Sequence, residues 1–529
     1  MRAVKMLRGD MMEEKLKNLY REITKERGEP LDFWEVAALL EVYGMRDVDV
    51  KKEYGFEDVF ALAKELMRYK DIKKYPVKTI VNMQKLPPIK ERVIQNYLKG
   101  LAFAIPMLIQ ILATIILGFA LWSNIHIDES VATMIAFGTF LAMIFTGGPA
   151  QIIGRKGLYY LKMNEDVLAA KTIWVFYITS VIAIVILSLI FFLFNTIFQT
   201  LDSHLFIIFL STFFLLSILF LNVSIYYVFE EYGTIALFFV LGVVFVIPIH
   251  YILHIDFPHA QFVAIALLDL FILYFARRKL INLKSNVQSE GELLPRVSML
   301  IYTLLPFFIY GVFYFLFLVL DKLIEWNTNA LHHGFFIWFD VKYEIGTDLA
   351  LIVLVLLVGL LEVVVYEFLY KTNENVFAFS LHEYEQFNGY FQKFYRNVNR
   401  IFIIFALGTI IVTSIFSAIL VHFVSDERLP FSVDSAYVFV VSAVAYAFLT
   451  AGLMNALILF SFSRQKVVVK AIVLATVANF FVGVIFSNLL YRYFAVMGLL
   501  VGSAIFWYVT YSFLKTMFKK FDYYYYSAF

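Results

Sequence analysis

The chain has 529 residues, of which 61% are hydrophobic, 18% aromatic and 16% charged. A soluble globular protein carries about 45–50% apolar and about 25% charged residues, so this composition excludes a water-soluble enzyme. Basic and acidic residues number 44 and 42, a balance that gives no sign of a nucleic-acid partner. The absence of cysteine excludes disulfides, iron–sulfur clusters and thiolate metal sites. These counts predict a multi-pass protein of a lipid bilayer, and we expect neither cofactor nor metal.

Residues 1–95 predict a small helical segment that ends in a linker. Helices are expected over 11–27, 32–43 and 56–69, the second stopped by Gly44. The second and third have apolar residues at helical spacing: Phe33, Trp34, Ala37, Leu39, Leu40, then Phe56, Val59, Phe60, Ala63 and Leu66. Pro76, Pro87 and Pro88 mark the linker. This segment is interpreted as cytoplasmic, either a cap on the membrane domain or a docking module for a partner.

From residue 96 to 529, apolar runs alternate with short polar breaks. A helix that spans a bilayer needs about 20 mostly apolar residues. Twelve runs qualify: 99–122, 131–153, 172–199, 204–227, 235–254, 260–276, 297–320, 347–370, 400–424, 434–460, 467–489 and 494–514. The first of them begins near Leu101, so we expect no signal peptide. The sequence therefore predicts an all-α polytopic membrane protein with about twelve transmembrane helices.

The basic residues of this region lie mainly in alternate breaks. Nineteen fall after even-numbered spans or in the C-terminal tail: Arg155, Lys156, Lys162, Lys171, Arg277, Arg278, Lys279, Lys284, Arg296, Lys371, Lys393, Arg396, Arg400, Arg464, Lys466, Lys470, Lys515, Lys519 and Lys520. The other breaks contain four: Lys322, Lys342, Arg428 and Arg492. Because basic loops stay on the cytoplasmic side, both termini are predicted to be cytoplasmic.

Two prolines suggest an internal duplication. Pro106 lies near the start of the first span and Pro306 near the start of the seventh, 200 residues later. Proline in a spanning helix frees a backbone carbonyl and allows a bend. Matching bends predict two six-helix halves, over about 96–285 and 286–529, as in parallel-repeat transporters.

Three carboxylates fall inside the predicted spans. Asp269 is central in span 6, and Glu362 and Glu367 lie in span 8. Ionisable residues in a bilayer are costly and mark functional sites by default. Glu362 and Glu367 are five residues apart, so they diverge by roughly 140° around a helix and form no paired site. Two interpretations stay open. Asp269 and Glu362 line a central cavity and one of them binds a coupling proton or sodium ion, or both are protonated acids hydrogen-bonded between helices while Glu367 lies at the membrane interface.

Histidines cluster once, at the end of span 5. His250 and His254 are spaced to share a helix face, with Asp256 and His259 following. Such a pair can hold a metal, but histidines at a membrane interface explain the same pattern, and we favour that interpretation. His332 and His333 lie in the longest outer loop, which is too short for a catalytic domain.

Three stretches carry a resemblance to a known family. The first is Tyr97, Gly100 and Pro106. The second is Gln151, Arg155 and Tyr159. The third comprises Phe462, Arg464, Asn479, Gly498 and the terminal Phe529, with Ser463 in place of the usual aspartate. With residues 387–396, these resemble the multidrug/oligosaccharidyl-lipid/polysaccharide (MOP) flippase superfamily and, within it, the inner-membrane transporter family of the Pel exopolysaccharide system.

The resemblance implies a fold similar to MATE and Wzx transporters and a location in a bacterial inner membrane. It also implies export of an amino-sugar-rich polysaccharide by alternating access, beside a cytoplasmic glycosyltransferase and other membrane subunits. A cationic polymer agrees with acidic residues in the bilayer. Three alternatives stay open: a lipid-linked oligosaccharide flippase, an ion-coupled small-molecule antiporter, and a membrane scaffold for a polysaccharide synthase.

Overall fold

The structure is a computed structural model that describes residues 12–23, 30, 32–42, 44–69, 88–124, 127–285, 297–330, 336–379, 383–423 and 431–527. The chain divides into two compact units. The first comprises Met1–Arg92 and Thr372–Phe387, and the second comprises Val93–Lys371 and Asn388–Phe529. His332, His333 and Phe529, which the sequence singled out, lie outside the described residues.

The described part of the first unit contains four short helices around one apolar core. They are α1 (12–23), α2 (Phe33–Val42), α3 (Asp47–Glu53) and α4 (Val59–Leu66). Their shared buried side chains include Leu16, Ile23, Val36, Leu40, Val50, Leu62 and Leu66. Gly44 has a φ of +83°, a conformation that suits glycine after a helix and confirms the predicted stop.

Sequence reasoning missed α3 and misjudged two aromatic side chains of this unit. α3 is polar and buries only Val50, so periodicity gave no signal for it. Trp34 and Phe60 were expected to face the core, but they are 44% and 40% exposed. Their rings pack edge to face with centroids 5.3 Å apart, outside the core.

Twelve helices in the described ranges are long and apolar enough to cross a membrane, which confirms the predicted number. They are α5 (Ile89–Leu117), α6 (Glu129–Lys162), α7 (Asp166–Phe198), α8 (Ser203–Val228), α9 (Tyr232–Tyr251), α10 (Phe257–Ser285), α11 (Val297–Ala330), α12 (Val341–Ala378), α13 (Tyr384–Phe423), α14 (Val433–Ser461), α15 (Gln465–Leu489) and α16 (Val496–Met517). A short helix, α17 (Phe521–Tyr526), follows. We call the face at which α5 begins and α16 ends the terminal face.

Several helices are longer than the apolar runs that predicted them. α11 was expected to end at residue 320 but continues to Ala330, and α12 begins at Val341 instead of residue 347. Both extensions contain charged residues, which were read as a polar break between spans. Lys342 is exposed, but Asp321, Lys322, Glu325 and Glu344 are buried inside the protein, where neighbouring helices supply partners.

The two predicted halves, α5–α10 and α11–α16, meet along a seam of close helix contacts. Gly147 of α6 lies against Gly311 of α11, where a Cβ atom on Gly147 would be 2.6 Å from the Gly311 carbonyl oxygen. Gly100 of α5 lies against Gly359 of α12, where a Cβ atom on Gly100 would be 2.8 Å from the Gly359 Cα. Small residues permit such backbone contact between helices in membranes.

Pro106 and Pro306 lie within helices that continue on both sides of them, α5 and α11. Each proline is one to two turns from a seam glycine, since Pro106 follows Gly100 and Pro306 precedes Gly311. The bends that these prolines were expected to allow remain a prediction.

Gly311→Ala should lower the unfolding temperature of the purified protein in detergent. The added methyl group has no room against α6, and overpacking of this kind costs about 1–3 kcal/mol. The matched control is Gly408→Ala in α13, where a Cβ atom meets nothing within 4 Å. Alanine there should leave stability unchanged or raise it, because glycine in a helix costs about 1 kcal/mol relative to alanine. Equal effects of the two substitutions would contradict the seam.

Candidate functional site: buried ionisable residues

Asp269 lies inside the first half, on α10 facing α8. Its side chain is 6% exposed and belongs to a region of tightly packed apolar residues from α6 to α10. The Asn222 amide donates to Asp269 Oδ1 at 2.9 Å, and Tyr177 Oη donates to Asn222 Oδ1 at 2.7 Å. Three helices, α7, α8 and α10, therefore hold this one carboxyl group.

The second oxygen of Asp269 is buried without a hydrogen-bond partner among the described residues. A carboxyl group in a low-dielectric interior needs a neutralising proton or cation, since an isolated buried charge is very costly. A proton or cation that neutralises Asp269 would lie inside the first half, enclosed by that half's own helices.

Glu362 lies at the seam, close to the terminal face. Its Oε1 is 3.6 Å from Nζ of Lys99 on α5, and the Glu362 side chain is 38% exposed. Glu367, further along α12, is half-buried. The structure therefore does not bring the three carboxylates together: Asp269 is enclosed by α7, α8 and α10, whereas Glu362 faces a lysine of α5.

A second buried charge network, which sequence reasoning missed, lies in the second half at the face opposite the terminal face. Arg492, between α15 and α16, binds Asp340 with Nη2 to Oδ2 at 2.7 Å. It also donates to Asn329 Oδ1 and lies 3.7 Å from Glu325 of α11. Tyr493 Oη donates to Asp340 Oδ2 at 3.1 Å.

Lys322 of α11 forms the other centre of this network. It pairs with Glu344 of α12 and lies 3.4 Å from Asp348 Oδ1. The neighbouring Asp321 accepts a hydrogen bond from Tyr343 Oη at 2.8 Å. Lys322 is 6% exposed and Asp321 is 1% exposed, so both ions are inside the protein.

The network contains more acid than base. Five carboxylates share two cations, Lys322 and Arg492; the acids are Asp321, Glu325, Asp340, Glu344 and Asp348. Glu325 is fully buried, and neither of its oxygens has a hydrogen-bond partner among the described residues. Because unneutralised buried charge is costly, we expect some of these acids to carry a proton.

One sequence signal was available for this network. Asp340, Glu344 and Asp348 recur every fourth residue and so share one helix face. A purely solvated loop has no reason for that spacing. Charges that lie at the end of an apolar run, as Asp321 and Lys322 do, nevertheless favour the interpretation that the span has ended.

The residues of the family resemblance occupy structural positions. Arg155 of α6 donates to the Phe460 carbonyl of α14 at 3.4 Å, and its guanidinium lies 5.2 Å from the Phe307 ring centroid. Gln151 packs beside Gly311 at the seam. Tyr159, one helical turn past Arg155, is 48% exposed. Arg155 and Gln151 thus join the two halves.

The third group of resemblance residues, which includes Arg464, Asn479 and Gly498, makes contacts within the second half. Arg464 donates to Ser527 Oγ at 2.6 Å and lies 5.0 Å from the Tyr524 ring centroid. Asn479 is fully buried and donates to the Phe317 carbonyl at 3.1 Å. A Cβ atom on Gly498 would lie 2.6 Å from Asn479 Oδ1, so glycine is required there.

The histidine cluster shows no metal geometry. Among the described residues, no group of three or more His, Asp or Glu side chains is arranged to hold a metal ion. His250 Nδ1 lies 2.8 Å from the Ile255 carbonyl oxygen, and its ring stacks on Phe257 with centroids 3.8 Å apart. The structure accounts for His250 as a packing residue.

Comparison with known proteins identifies solved structures that share this fold. No protein-family profile and no curated protein matches the chain. Among solved structures, the Vibrio cholerae MATE transporter VcmN, in a mutant form, has a TM-score of 0.55 at 10% identity over 81% of this chain and 97% of its own. An outward-facing multidrug resistance MATE transporter of the MOP superfamily has a TM-score of 0.52 at 12% identity, over 82% of this chain and 96% of its own. A crystal structure of MATE in the straight conformation has a TM-score of 0.51 at 14% identity, over 82% of this chain and 98% of its own.

The protein therefore has the all-helical, twelve-span fold of MATE transporters, which belong to the MOP superfamily, and it is a multi-pass membrane protein. The aligned region covers about four-fifths of this chain and nearly all of each solved structure. At 10–14% identity the likeness shows the fold alone. It confirms the MATE-like fold that the resemblance implied.

Arg492→Met should destabilise the protein strongly, by about 3–5 kcal/mol, because it strands the buried carboxylates Asp340 and Glu325. Glu325→Gln should leave the unfolding temperature unchanged or raise it, since it removes one charge from an acid-rich site. Lys519→Met, at an exposed position of the terminal face, controls for the loss of a positive charge. Thermal unfolding in detergent measures all three. Similar damage from Glu325→Gln and Arg492→Met would contradict the proposed excess of acid.

Proposed function

We propose that this protein exports a polysaccharide across the bacterial inner membrane by alternating access, with both termini in the cytoplasm. The observation that supports the proposal is the fold: twelve long apolar helices arranged as in MATE transporters, with glycine contacts between the two predicted halves. The motif residues Arg155, Arg464 and Asn479 add the narrower assignment, a substrate of the Pel exopolysaccharide type.

The two halves can move as rigid bodies because hydrogen bonds and ion pairs connect the helices within each half. Asn222 and Tyr177 tie α7, α8 and α10 within the first half. Arg492 and Lys322 tie α11, α12 and the segment before α16 within the second half. The contacts between the halves run along α6 with α11 and α5 with α12. Rocking about this seam exposes the space between the halves to each face in turn.

Asp269 supplies the coupling step of the proposal. A proton that arrives at its unpaired Oδ2 neutralises the side chain, and its release leaves a charge held only by Asn222. The free energies of the two states of the first half therefore depend on one ion. The second-half network, with its surplus of acid, is a second place at which protons can be exchanged.

The charge of the bilayer region favours the substrate class. Its ionisable groups are mainly carboxylates, and the buried lysine and arginine of the second half are already paired. A pyrophosphate-linked lipid would be met by unpaired arginine or lysine. A neutral or cationic glycan, such as an amino-sugar polymer, suits an acidic surrounding better. A cytoplasmic glycosyltransferase and small membrane subunits are the partners this function requires.

Deletion of the gene in its host should remove hexosamine-rich polymer from the cell surface, and the wild-type gene should restore it. Asp269→Asn should fail to restore it while the protein reaches wild-type abundance in the membrane, because asparagine has the shape of the protonated acid and never releases a proton. Asp256→Asn, at an exposed position directly before α10, is the matched control and should export normally.

Unchanged surface polymer after deletion would overturn the exopolysaccharide assignment. A second assay then decides between transport classes. Purified protein in liposomes with an imposed proton gradient is tested for accumulation of a cationic dye. Dye transport that Asp269→Asn abolishes, without any polymer phenotype, would make ion-coupled small-molecule antiport the function.

A further inference from the structure

Lys99 holds an unusual place at the terminal face, because it touches a carboxylate from each half. Its Nζ is 2.7 Å from Glu230 Oε2, at the turn between α8 and α9, and 3.6 Å from Glu362 Oε1 on α12. The three side chains are between 35% and 41% exposed. The ammonium group therefore bridges the first half to the second at a partly hydrated position.

The contacts of α5 with the two halves are unequal in kind. Tyr227 of α8 donates to the Phe103 carbonyl at 3.0 Å, and the rings of these two residues pack with centroids 4.7 Å apart. With the 2.7 Å ion pair to Glu230, these contacts fasten this end of α5 to its own half. Towards α12 the polar contacts are longer, 3.3 Å from Tyr97 Oη to the Leu356 carbonyl and 3.6 Å from Lys99 to Glu362, and Gly100 meets Gly359 through van der Waals contact alone.

Hydration decides how easily such a pair breaks. A partly exposed ion pair contributes little stability, at most about 1 kcal/mol. Removing one partner of a buried pair costs several times more. The Lys99–Glu362 pair is partly exposed, whereas the Lys322–Glu344 pair is buried. Only a partly exposed pair suits a contact that forms and breaks in each transport cycle.

We propose that Lys99 and Glu362 form a releasable latch that closes the terminal-face end of the seam. In the open state, α5 keeps its bonds to Glu230 and Tyr227 and moves with the first half, while Glu362 moves away with α12. Glu362, predicted from the sequence as a coupling acid, thereby receives a gating role. The latch rests on the proposed alternating access, but the pair itself can be tested without a transport assay.

The chain offers a matched control and a convenient reporter. Lys279 pairs with Glu231 at the same face, with both partners in the first half, so loss of this pair has no direct effect on the seam. The natural chain has no cysteine, and Val358→Cys therefore introduces a single thiol. Val358 is half-buried at the point where α12 meets Gly100.

The experiment measures the rate at which a polar maleimide labels Val358→Cys protein in detergent. Lys99→Met and Glu362→Gln should each raise the rate by about fivefold, because the closed state loses its ion pair across the seam. Glu230→Gln and Lys279→Met should leave the labelling rate near that of the Val358→Cys protein, since the Lys99–Glu362 ion pair is intact in both. Thermal unfolding of each substitution combined with Val358→Cys confirms that the proteins remain folded.

Equal acceleration in Glu230→Gln and Glu362→Gln, or none in Lys99→Met, would overturn the latch. Carbodiimide supplies a second measurement on the unmodified protein. It should join Lys99 to Glu362 by an amide bond that mass spectrometry detects, beside the Lys279–Glu231 product. Failure of the Lys99–Glu362 product alone counts against the latch and leaves the polymer export assay as an independent test of the function.

Discussion

Backbone contact between helices at glycine is the constraint on which the rest of this structure depends. In a bilayer, no hydrophobic effect drives one apolar helix against another, so association rests on close packing. At Gly147 and Gly311 the α6 and α11 backbones touch, and at Gly100 and Gly359 the α5 and α12 backbones do. These two contacts determine where the halves meet, and consequently which side chains face each other across the seam.

The ionisable side chains of the membrane domain then differ according to their distance from that seam. Within the halves, the charged groups are buried and their removal is costly: Asp269 is held by α7, α8 and α10, and Arg492 by several acids. At the seam, Lys99 and Glu362 are partly hydrated and separable. Ion pairs that are buried within a half and partly hydrated between the halves are the arrangement of charges that rigid-body rocking requires.

The spans and the superfamily fold could be predicted because each rests on a local signal. About 20 apolar residues make a span whatever lies beside it, and the short motifs around Pro106, Arg155 and Arg464 carry the family resemblance. The network around Lys322 and Arg492 depends instead on residues 170 positions apart, so no window of sequence shows that they meet. The same holds for Glu362, whose carboxylate looked isolated until α5 placed Lys99 against it. The length and hydropathy of a span can be determined from one segment of sequence, whereas an ion pair depends on which two segments meet in the folded protein.

Distances across the two faces test the two-half account most directly, and the cysteine-free chain makes spin labelling straightforward. One pair, Met163→Cys with Tyr523→Cys, reports on the terminal face, and another, Leu253→Cys with Leu489→Cys, reports on the opposite face; all four positions are exposed. Electron–electron double resonance is measured for each pair with Asp269 intact and with Asp269→Asn, at high and low pH. The account predicts that one distance shortens as the other lengthens. Distances that stay fixed under all conditions, or change in the same direction at both faces, would contradict it.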